Sequence, residues 1–352
     1  MAYTTINKST DYFNTKLYTG NGTNATGITG VGFQPDWVWI KERSSTSPHK
    51  LLDAVRGATK ELESNSTASE QTEATSLQSF NSDGFTVGTN GAVNENSQTY
   101  VSWNWKAGTT GSGNTTGSGT YKTYSYSVNT TAGFSIVKYL GNGTAGHTIP
   151  HHLGVVPSMY MVKELDNTQS WYVYHKDASY SGSAAKDTEL YLDTTDRAYA
   201  NAKWNDTAPT SSNFCLAGNN SVNQNDTNYI AYCFADKTGY SKFGSYTGNG
   251  NADGTFIYTG FKPAFVIVKR TDAAGDWVLF DNKRPGENPT DLNIAPNTNG
   301  AEIDEGQGFD FLSNGFKIRE AGNFVNAGSQ PFIYMAFGQS LVGSNNVPCT
   351  AR

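Results

Sequence analysis

Residues 32–41 read Gly32-Phe33-Gln34-Pro35-Asp36-Trp37-Val38-Trp39-Ile40-Lys41. The glycine and the proline disfavour helix just before the apolar run, which is aromatic and β-branched and has the length of a strand. Trp37 and Trp39 lie on one face of that strand, and Val38 and Ile40 lie on the other. Because both faces are apolar, the outer face must be covered by another strand layer, a neighbouring repeat or another subunit.

The same pattern recurs at residues 154–163 and 260–269, and the matched prolines are 122 and 106 residues apart. Three further motifs accompany it in a constant order. They are a Tyr-x-Gly-Asn-Gly turn (18–22, 139–143, 246–250), an Asp/Asn turn before Phe (83–85, 213–214, 314–316) and a closing strand (100–105, 229–234, 332–337). Four ordered motifs in three copies predict an all-β chain of three tandem β-sandwich modules, of the jelly-roll or concanavalin-like kind.

The predicted boundaries follow from the motifs. Module 1 spans 1–107, module 2 spans 121–237 and module 3 spans 238–340, while a Gly/Ser/Thr-rich linker (108–120) and a C-terminal tail (341–352) complete the chain. The stretch 48–62 has helical character, but its register with 171–175 and 277–281 predicts a strand there too.

The composition argues against several classes of function. Charged residues make up 16% of the chain, the formal net charge is −6 and no cluster of Lys and Arg stands out, so no nucleic-acid partner is expected. The polar N-terminus has no signal-peptide pattern, and no run of about 18 apolar residues predicts a membrane span. Three cysteines do not make a disulfide framework, so folding in a reducing cytoplasm is expected.

Catalytic motifs are missing from the sequence. Its one Gly-x-Gly-x-x-Gly string, 141–146, is the turn of the repeat and leads to a proline rather than a helix. His147, His151 and His152 could suggest a metal, but the preferred interpretation is a turn whose imidazoles bond the backbone. Acidic clusters at 187–193 and 304–310 could supply a carboxylate pair for glycoside hydrolysis, with solvated loop charges as the preferred alternative. We therefore expect no enzyme, no cofactor and no metal.

Two charge pairs at matching positions are the candidate ligand-binding residues. Asp53 and Arg56 match Asp281 and Arg284, and Trp277 begins the same strand as Asp281. Such a pair could bind a sugar or a carboxylate, whereas the structural alternative is that it ties down a loop.

Several stretches resemble a repeat module of tailed-phage structural proteins, especially marine ones. They are residues 1–9, 32–41, 49–57 and 82–85, with second and third copies beginning at 127–139 and 240–250. The resemblance covers nearly the whole chain and implies a virion protein of the tail-fibre type without established catalytic residues. One departure is His152, which stands where this module more usually has glycine, and we expect it to alter the turn. Another is the absence of an N-terminal coiled coil, which favours a compact appendage or a capsid-surface protein.

The predicted function is therefore a phage structural protein of a tail fibre or surface appendage, located in the virion after synthesis in the host cytoplasm. Its expected partners are other virion proteins, further copies of itself, with a homotrimer favoured, and a host surface glycan. One alternative is a capsid decoration or head-fibre protein that stabilises the shell. The other is a polysaccharide depolymerase, although the repeat is far longer than a rung of a β-helix.

Overall fold

The computed structural model describes residues 4–322 and 324–340, which form 28 strands paired in antiparallel fashion throughout. The described helical segments are short: Gly91–Asn94 (α1), Asn220–Asn223 (α2) and two 3-10 turns, Ser9–Asp11 and Ala185–Asp187. The strands, numbered in chain order, form six sheets that associate as three pairs. The prediction of an all-β sandwich fold is confirmed.

Unit 1 is the pair formed by the first nine strands. Its inner sheet has the order β1 (Phe13–Thr19), β9 (Thr99–Trp105), β3 (Trp37–Glu42), β4 (Lys50–Asp53), β5 (Lys60–Leu62), β6 (Gln71–Thr72). Its outer sheet has the order β2 (Thr26–Thr29), β8 (Gly84–Val87), β7 (Leu77–Asn81).

Unit 2 has the largest inner sheet. The order is β10 (Thr109–Asn114), β12 (Thr123–Asn129), β13 (Phe134–Leu140), β20 (Asn228–Phe234), β15 (Met159–Glu164), β16 (Tyr172–His175), β17 (Thr188–Tyr191), β18 (Tyr199–Ala200). Its outer sheet has the order β11 (Thr116–Gly117), β14 (His147–Pro150), β19 (Asn213–Leu216).

Unit 3 pairs two four-stranded sheets. The inner sheet has the order β21 (Ser241–Thr247), β28 (Pro331–Gly338), β23 (Pro263–Arg270), β24 (Trp277–Asp281). The outer sheet has the order β22 (Phe256–Tyr258), β27 (Gly315–Ile318), β26 (Ile303–Leu312), β25 (Thr290–Asn293). The strand orders β1-β9-β3-β4, β13-β20-β15-β16 and β21-β28-β23-β24 are therefore equivalent.

Each inner sheet is buried on both faces. One face packs on the outer sheet of its own unit, and the three sandwich cores formed in this way are separate clusters. The other faces of all three inner sheets meet in a single shared core, to which β3, β15 and β23 contribute Trp37, Met161 and Phe265. The second apolar face of these strands is therefore covered by the neighbouring repeats.

Aromatic rings join each pair of units across the shared core. The Trp37 and Tyr232 ring centroids are 4.5 Å apart between units 1 and 2. Phe13 stacks on Phe337 at 5.0 Å between units 1 and 3, and Phe234 lies 5.9 Å from Phe243 between units 2 and 3. The three inner sheets thus surround one core in cyclic order. The units share this core and are not separate domains joined only through the chain.

The Tyr-x-Gly-Asn-Gly turn is held by a buried asparagine that lies six residues before the first aromatic of the closing strand. In unit 2 the Asn223 amide oxygen accepts the backbone N–H of Asn142 at 2.9 Å, and its Nδ2 donates to the carbonyl oxygens of Thr144 and Ala217. A Cβ on Gly141 would lie 2.3 Å from the Gln224 carbonyl oxygen, and Gly143 has a φ of +71°. These two constraints explain both glycines of the motif.

Residues 108–120 include two paired strands, whereas the sequence predicted a flexible linker there. Strand β10 forms an edge of the inner sheet by pairing with β12, and β11 pairs with β14. Thr and Ser hydroxyls and Gly-rich backbone suit such an edge, because the Tyr124 and Tyr126 rings cross over Gly113 and Gly111. The module boundaries remain a prediction, and the tail 341–352 lies outside the described residues.

Loss of the buried asparagine should destabilise the fold. Asn94, the unit 1 equivalent, accepts from Asn21 N–H and donates to Thr23 and Gly88. We expect Asn94→Ala to lower the free energy of unfolding by about 3 kcal/mol, since three hydrogen bonds of a buried side chain are lost and the buried Gly88 carbonyl loses its donor. Urea unfolding followed by tryptophan fluorescence measures this. The exposed Asn96→Ala is the control and should stay within about 0.5 kcal/mol of wild type; equal effects of both variants would contradict the assignment.

Candidate functional site

Three joints connect the units, and each repeats the same backbone contacts. We call them joint A (units 1 and 2), joint B (units 2 and 3) and joint C (units 3 and 1). The first bond of each runs from the N–H of Glu70 to Leu165 O, of Ala198 to Thr271 O and of Glu302 to Arg43 O, at 2.9 Å each. The second runs from the N–H of Gln169 to Thr67 O, of Gly275 to Thr195 O and of Ser47 to Asn299 O. The ring of units is therefore closed by equivalent hydrogen bonds.

Asp53 and Arg56 lie in joint A with no exposed side-chain surface. Asp53 Oδ1 accepts the backbone N–H groups of Val55 and Arg56, and Oδ2 accepts the Arg56 guanidinium and, at 2.7 Å, the hydroxyl of Tyr232 from unit 2. The nearby Asp53 charge raises the pKa of Arg56 despite burial, which acts in the opposite direction. The pair therefore stabilises its own loop through backbone hydrogen bonds and also forms a hydrogen bond to unit 2.

Asp281 and Arg284 repeat this arrangement in joint C. Asp281 Oδ2 accepts from Arg284 Nε at 2.7 Å and from Trp103 Nε1 of unit 1 at 3.0 Å. Arg284 also donates to Leu279 O and pairs with Glu302, whose carboxylate forms a bidentate pair with Arg43 of unit 1. In both pairs the polar atoms face protein groups, which matches the structural alternative for these residues.

Joint B carries a different set at the equivalent positions. His175 and Ala178 take the places of the Asp and the Arg, and Met335 takes the place of Tyr232 and Trp103. His175 Nε2 donates to Tyr334 O of unit 3 at 3.1 Å, while its Nδ1 accepts the N–H of Asp177. Methionine has no hydrogen-bond donor, so it could not satisfy a buried carboxylate at this joint. The losses of the aspartate, of its arginine and of the donor opposite therefore occur together.

Trp277 belongs to a second repeated contact. Its indole Nε1 donates to Tyr191 O across joint B at 2.7 Å, and Trp171 Nε1 donates to Glu63 O across joint A at 2.9 Å. In joint C the equivalent residue is His49, whose Nε2 bonds Ala295 O at 3.1 Å while Nδ1 accepts from Trp39. Trp277 is buried, so its ring is not a surface for stacking.

A buried lysine is the second-to-last residue of β3, β15 and β23; the three are Lys41, Lys163 and Lys269. Lys163 Nζ donates to Thr67 O across joint A, and Lys269 Nζ donates to Thr195 O across joint B. Lys41 donates to Glu42 O. Burial lowers the pKa of each of these three lysines to about 8. The acceptors of the hydrogen bonds that these lysines donate are thus backbone carbonyl oxygens and not carboxylates.

The three clustered histidines of unit 2 all have protein partners. His147 lies between Asn223 Oδ1 and Thr115 Oγ1, and His151 Nε2 bonds Thr210 O at 3.1 Å. Within residues 4–322 and 324–340, no three His, Cys, Asp or Glu side chains come together as a metal site. Cys215 and Cys233 are buried free thiols, and Cys349 lies outside the described range.

His152 has a φ of +59°, which explains why glycine suits this turn. The ring stacks on Tyr126 with centroids 3.7 Å apart and hydrogen-bonds the Tyr124 hydroxyl at 2.9 Å. These contacts offset the backbone strain of the left-handed conformation.

The acidic cluster 187–193 does not form a free carboxylate pair. Glu189 is buried and accepts from the Tyr191 hydroxyl and from Asn201, while burial raises its pKa. Asp187 pairs with Lys186, and Asp193 accepts the N–H of Trp171. In the other cluster, Asp310 pairs with Arg319. The described carboxylates of these clusters mostly serve local structure.

Sequence reasoning missed the donors Tyr232 and Trp103 that complete joints A and C. The sequence did carry a signal at the position two residues before the last aromatic of the closing strand. That position is Trp or Tyr where the joint has an aspartate, and Met where the joint has a histidine. The constant spacing of six residues between Asn94, Asn223 or Asn326 and that strand was a second signal.

The surface that remains available for ligands differs between the units. Unit 3 exposes Phe256 and Tyr258 on edge strand β22, at 43% and 63% of their surface. Cavities lie beside β10, β12 and β13, between Asp276 and Phe324, and at joint C beside Thr15. At the last of these, larger side chains occupy the equivalents of Thr15 in the other two joints.

A family profile described as a domain of unknown function, DUF7483, matches residues 8–340. No curated protein and no solved structure matches the chain. Neither described helix is long and apolar enough to cross a membrane.

The charge pair of joint C should be strongly coupled. Arg284→Ala leaves Asp281 as an uncompensated buried charge and should lower the free energy of unfolding by about 3–5 kcal/mol. Asp281→Asn combined with Arg284→Ala removes the charge but leaves the same cavity, so it should recover about 2 kcal/mol of that loss. Chemical denaturation measures both. Arg270→Ala, at a half-buried ion pair with Asp272, is the control and should cost less than about 1 kcal/mol.

Acid should weaken joint B through His175. Burial lowers its pKa to about 4, so the ring is neutral in the folded chain, and the stability it contributes is present above pH 6.5 and lost as the pH falls toward 4. This one group should remove about 3 kcal/mol over that range. Thermal unfolding of wild type and His175→Gln, compared from pH 7 to 4, measures the difference. Parallel pH profiles for the two proteins would contradict it.

Proposed function

We propose that this chain, which belongs to the DUF7483 family, is a structural protein of a tailed-phage virion and forms part of a tail fibre or surface appendage. The observation that carries the proposal is the closed ring of three sheet pairs. Its predicted charge sites hold the joints together, and rigidity is a property that a particle component needs more than an enzyme does. Its proposed partners are other virion proteins, with a host surface glycan as the external contact.

The stretches that resemble the phage module lie at structural positions of unit 1. Residues 32–41 form β3 and its approach, and residues 49–57 form β4 and the loop of the charge pair. At 82–85, the Asp83 carboxylate accepts the N–H groups of Gly30 and Gly32 at 3.0 and 2.7 Å. The likeness thus falls on residues that set the architecture, which supports an architectural role.

A homotrimer is no longer required to explain the doubly apolar strands, because sheets of the same chain cover them. One chain with three similar units in cyclic order offers a threefold partner three similar surfaces. We therefore propose that a single copy can seat on a threefold element of the particle. One chain then supplies all three surfaces of a ring with approximate threefold symmetry, and no further copy is needed to complete the ring.

Particle composition tests the proposal. Particles released from cells that carry the gene are purified by density gradient and analysed by mass spectrometry and immunogold labelling. We expect the protein in a constant ratio to the major capsid protein, with gold on the tail. Gold on the head would support the alternative of a capsid decoration protein. Absence from particles would contradict both, and release of reducing sugars from host capsule by the pure protein would support the depolymerase alternative.

A further inference from the structure

Joint C is hollow where joints A and B are filled. Thr15 lies opposite Trp103, and the equivalent residues of units 2 and 3 are Ile136, opposite Tyr232, and Phe243, opposite Met335. Ile136 and Phe243 are members of the shared core. Threonine at the same inward position leaves space between units 1 and 3, so the three joints provide an internal comparison.

The space is a cavity of about 210 Å3 that opens to the surface, and we call it the joint C cavity. Phe13 and Ala264 contribute apolar surface, while Thr15, Asn282, Lys283 and Gln339 contribute polar groups. Joint A has Ala54 and Val55 in the places of Asn282 and Lys283. Joint B has Lys176 and Asp177 at these positions, so polar residues here distinguish joint C from joint A, and the combination with Thr15 is found at joint C.

Two buried polar atoms of the cavity lack partners. Thr15 is 7% exposed, and neither its Oγ1 nor Asn282 Oδ1 has a hydrogen-bond partner within the described part of the chain. Buried polar atoms of native proteins are nearly always hydrogen-bonded, to protein, water or ligand. The Asn282 side chain is oriented by its Nδ2, which donates to Gln339 Oε1 at 3.5 Å. Its Oδ1 needs a donor, and the Thr15 hydroxyl can donate or accept.

The lining suits a small molecule with an apolar face, hydroxyl groups and a negative charge. Phe13 offers a ring to a C–H face, and Asn282 and Thr15 offer an acceptor and a hydroxyl. The backbone N–H of Lys283 donates to Asp281 Oδ1 at 2.9 Å, which holds this exposed lysine at the rim. An ammonium there can pair with a carboxylate. The volume is below the roughly 300 Å3 at which pockets for drug-sized ligands begin, so one sugar ring is the appropriate size.

We propose that the joint C cavity binds a single acidic sugar ring, a hexuronic acid of a surface polysaccharide. The hydroxyl groups satisfy Asn282 Oδ1 and Thr15 Oγ1, and the carboxylate meets Lys283. The biological role of this site rests on the proposed function, in which the chain contacts a host glycan. Binding itself is a property of the isolated chain, so the two can fail separately.

Titration of the full chain with sodium D-glucuronate tests the proposal, by saturation-transfer NMR for contact and calorimetry for affinity. We expect binding to wild type, with Thr15→Ile weakening it at least tenfold because isoleucine, the unit 2 residue, fills the cavity. Thr15→Val keeps the volume and removes only the hydroxyl, so it should weaken binding less than Thr15→Ile. Lys283→Gln should reduce the preference for glucuronate over glucose at least tenfold. Lys186→Ala, on the surface of unit 2, is the control and should bind as wild type does.

Thermal unfolding accompanies each titration, and Thr15→Ile should unfold at or above the wild-type temperature. Absence of glucuronate binding to folded wild type, or unchanged binding by a folded Thr15→Ile, would overturn the proposal. Equal affinity of wild type for glucose and glucuronate would overturn the assignment of an acidic sugar. Presence of the protein in particles without glucuronate binding would remove this inference alone, whereas binding by a protein absent from particles would leave the site and remove the proposed function.

Discussion

Burial of both faces of the inner sheets is the constraint on which the rest of the structure depends. A two-layer sandwich covers one face of each sheet, and an antiparallel sheet of a lone sandwich leaves the other face to water. Here the second faces carry tryptophan, phenylalanine and methionine, and exposing them would be costly. Three inner sheets that face one another bury these residues together. The units therefore stabilise one another, and the shared core exists only when all three are present.

Polar contacts at the joints determine how the three sheets are oriented. Hydrophobic burial is non-directional, whereas the paired backbone hydrogen bonds and the buried Asp–Arg pairs require a defined alignment. Two joints use a carboxylate that accepts from the next unit, through Tyr232 or Trp103, and the third uses His175. The change from charge pair to neutral histidine is accompanied by a change in its partner, which keeps each buried polar group matched.

Differences between the copies matter more for function than their likeness. Positions that are equivalent in all three units mostly serve the turn, the sandwich core or the joints. Thr15, Asn282 and Lys283 depart from their equivalents at one joint, and Phe256 and Tyr258 depart from theirs on one outer sheet. A ring of similar units provides a rigid frame, and single departures from it create local sites without altering the frame.

The sequence by itself determined the all-β class, the recurring strands and turns, and the strand at 50–53 despite its helical character, because these follow from local patterns that repeat. The doubly apolar strand also showed that a second cover must exist. Only the tertiary structure decided that neighbouring repeats provide this cover, that residues 109–114 form an edge strand, and that the charge pairs face the next unit. The cover of these strands and the partners of the charge pairs depend on contacts between residues more than a hundred positions apart, and a local pattern cannot specify which distant surface it will meet. The edge strand depends on pairing with residues 123–128, and the Gly/Ser/Thr-rich composition of 109–114 did not indicate that pairing.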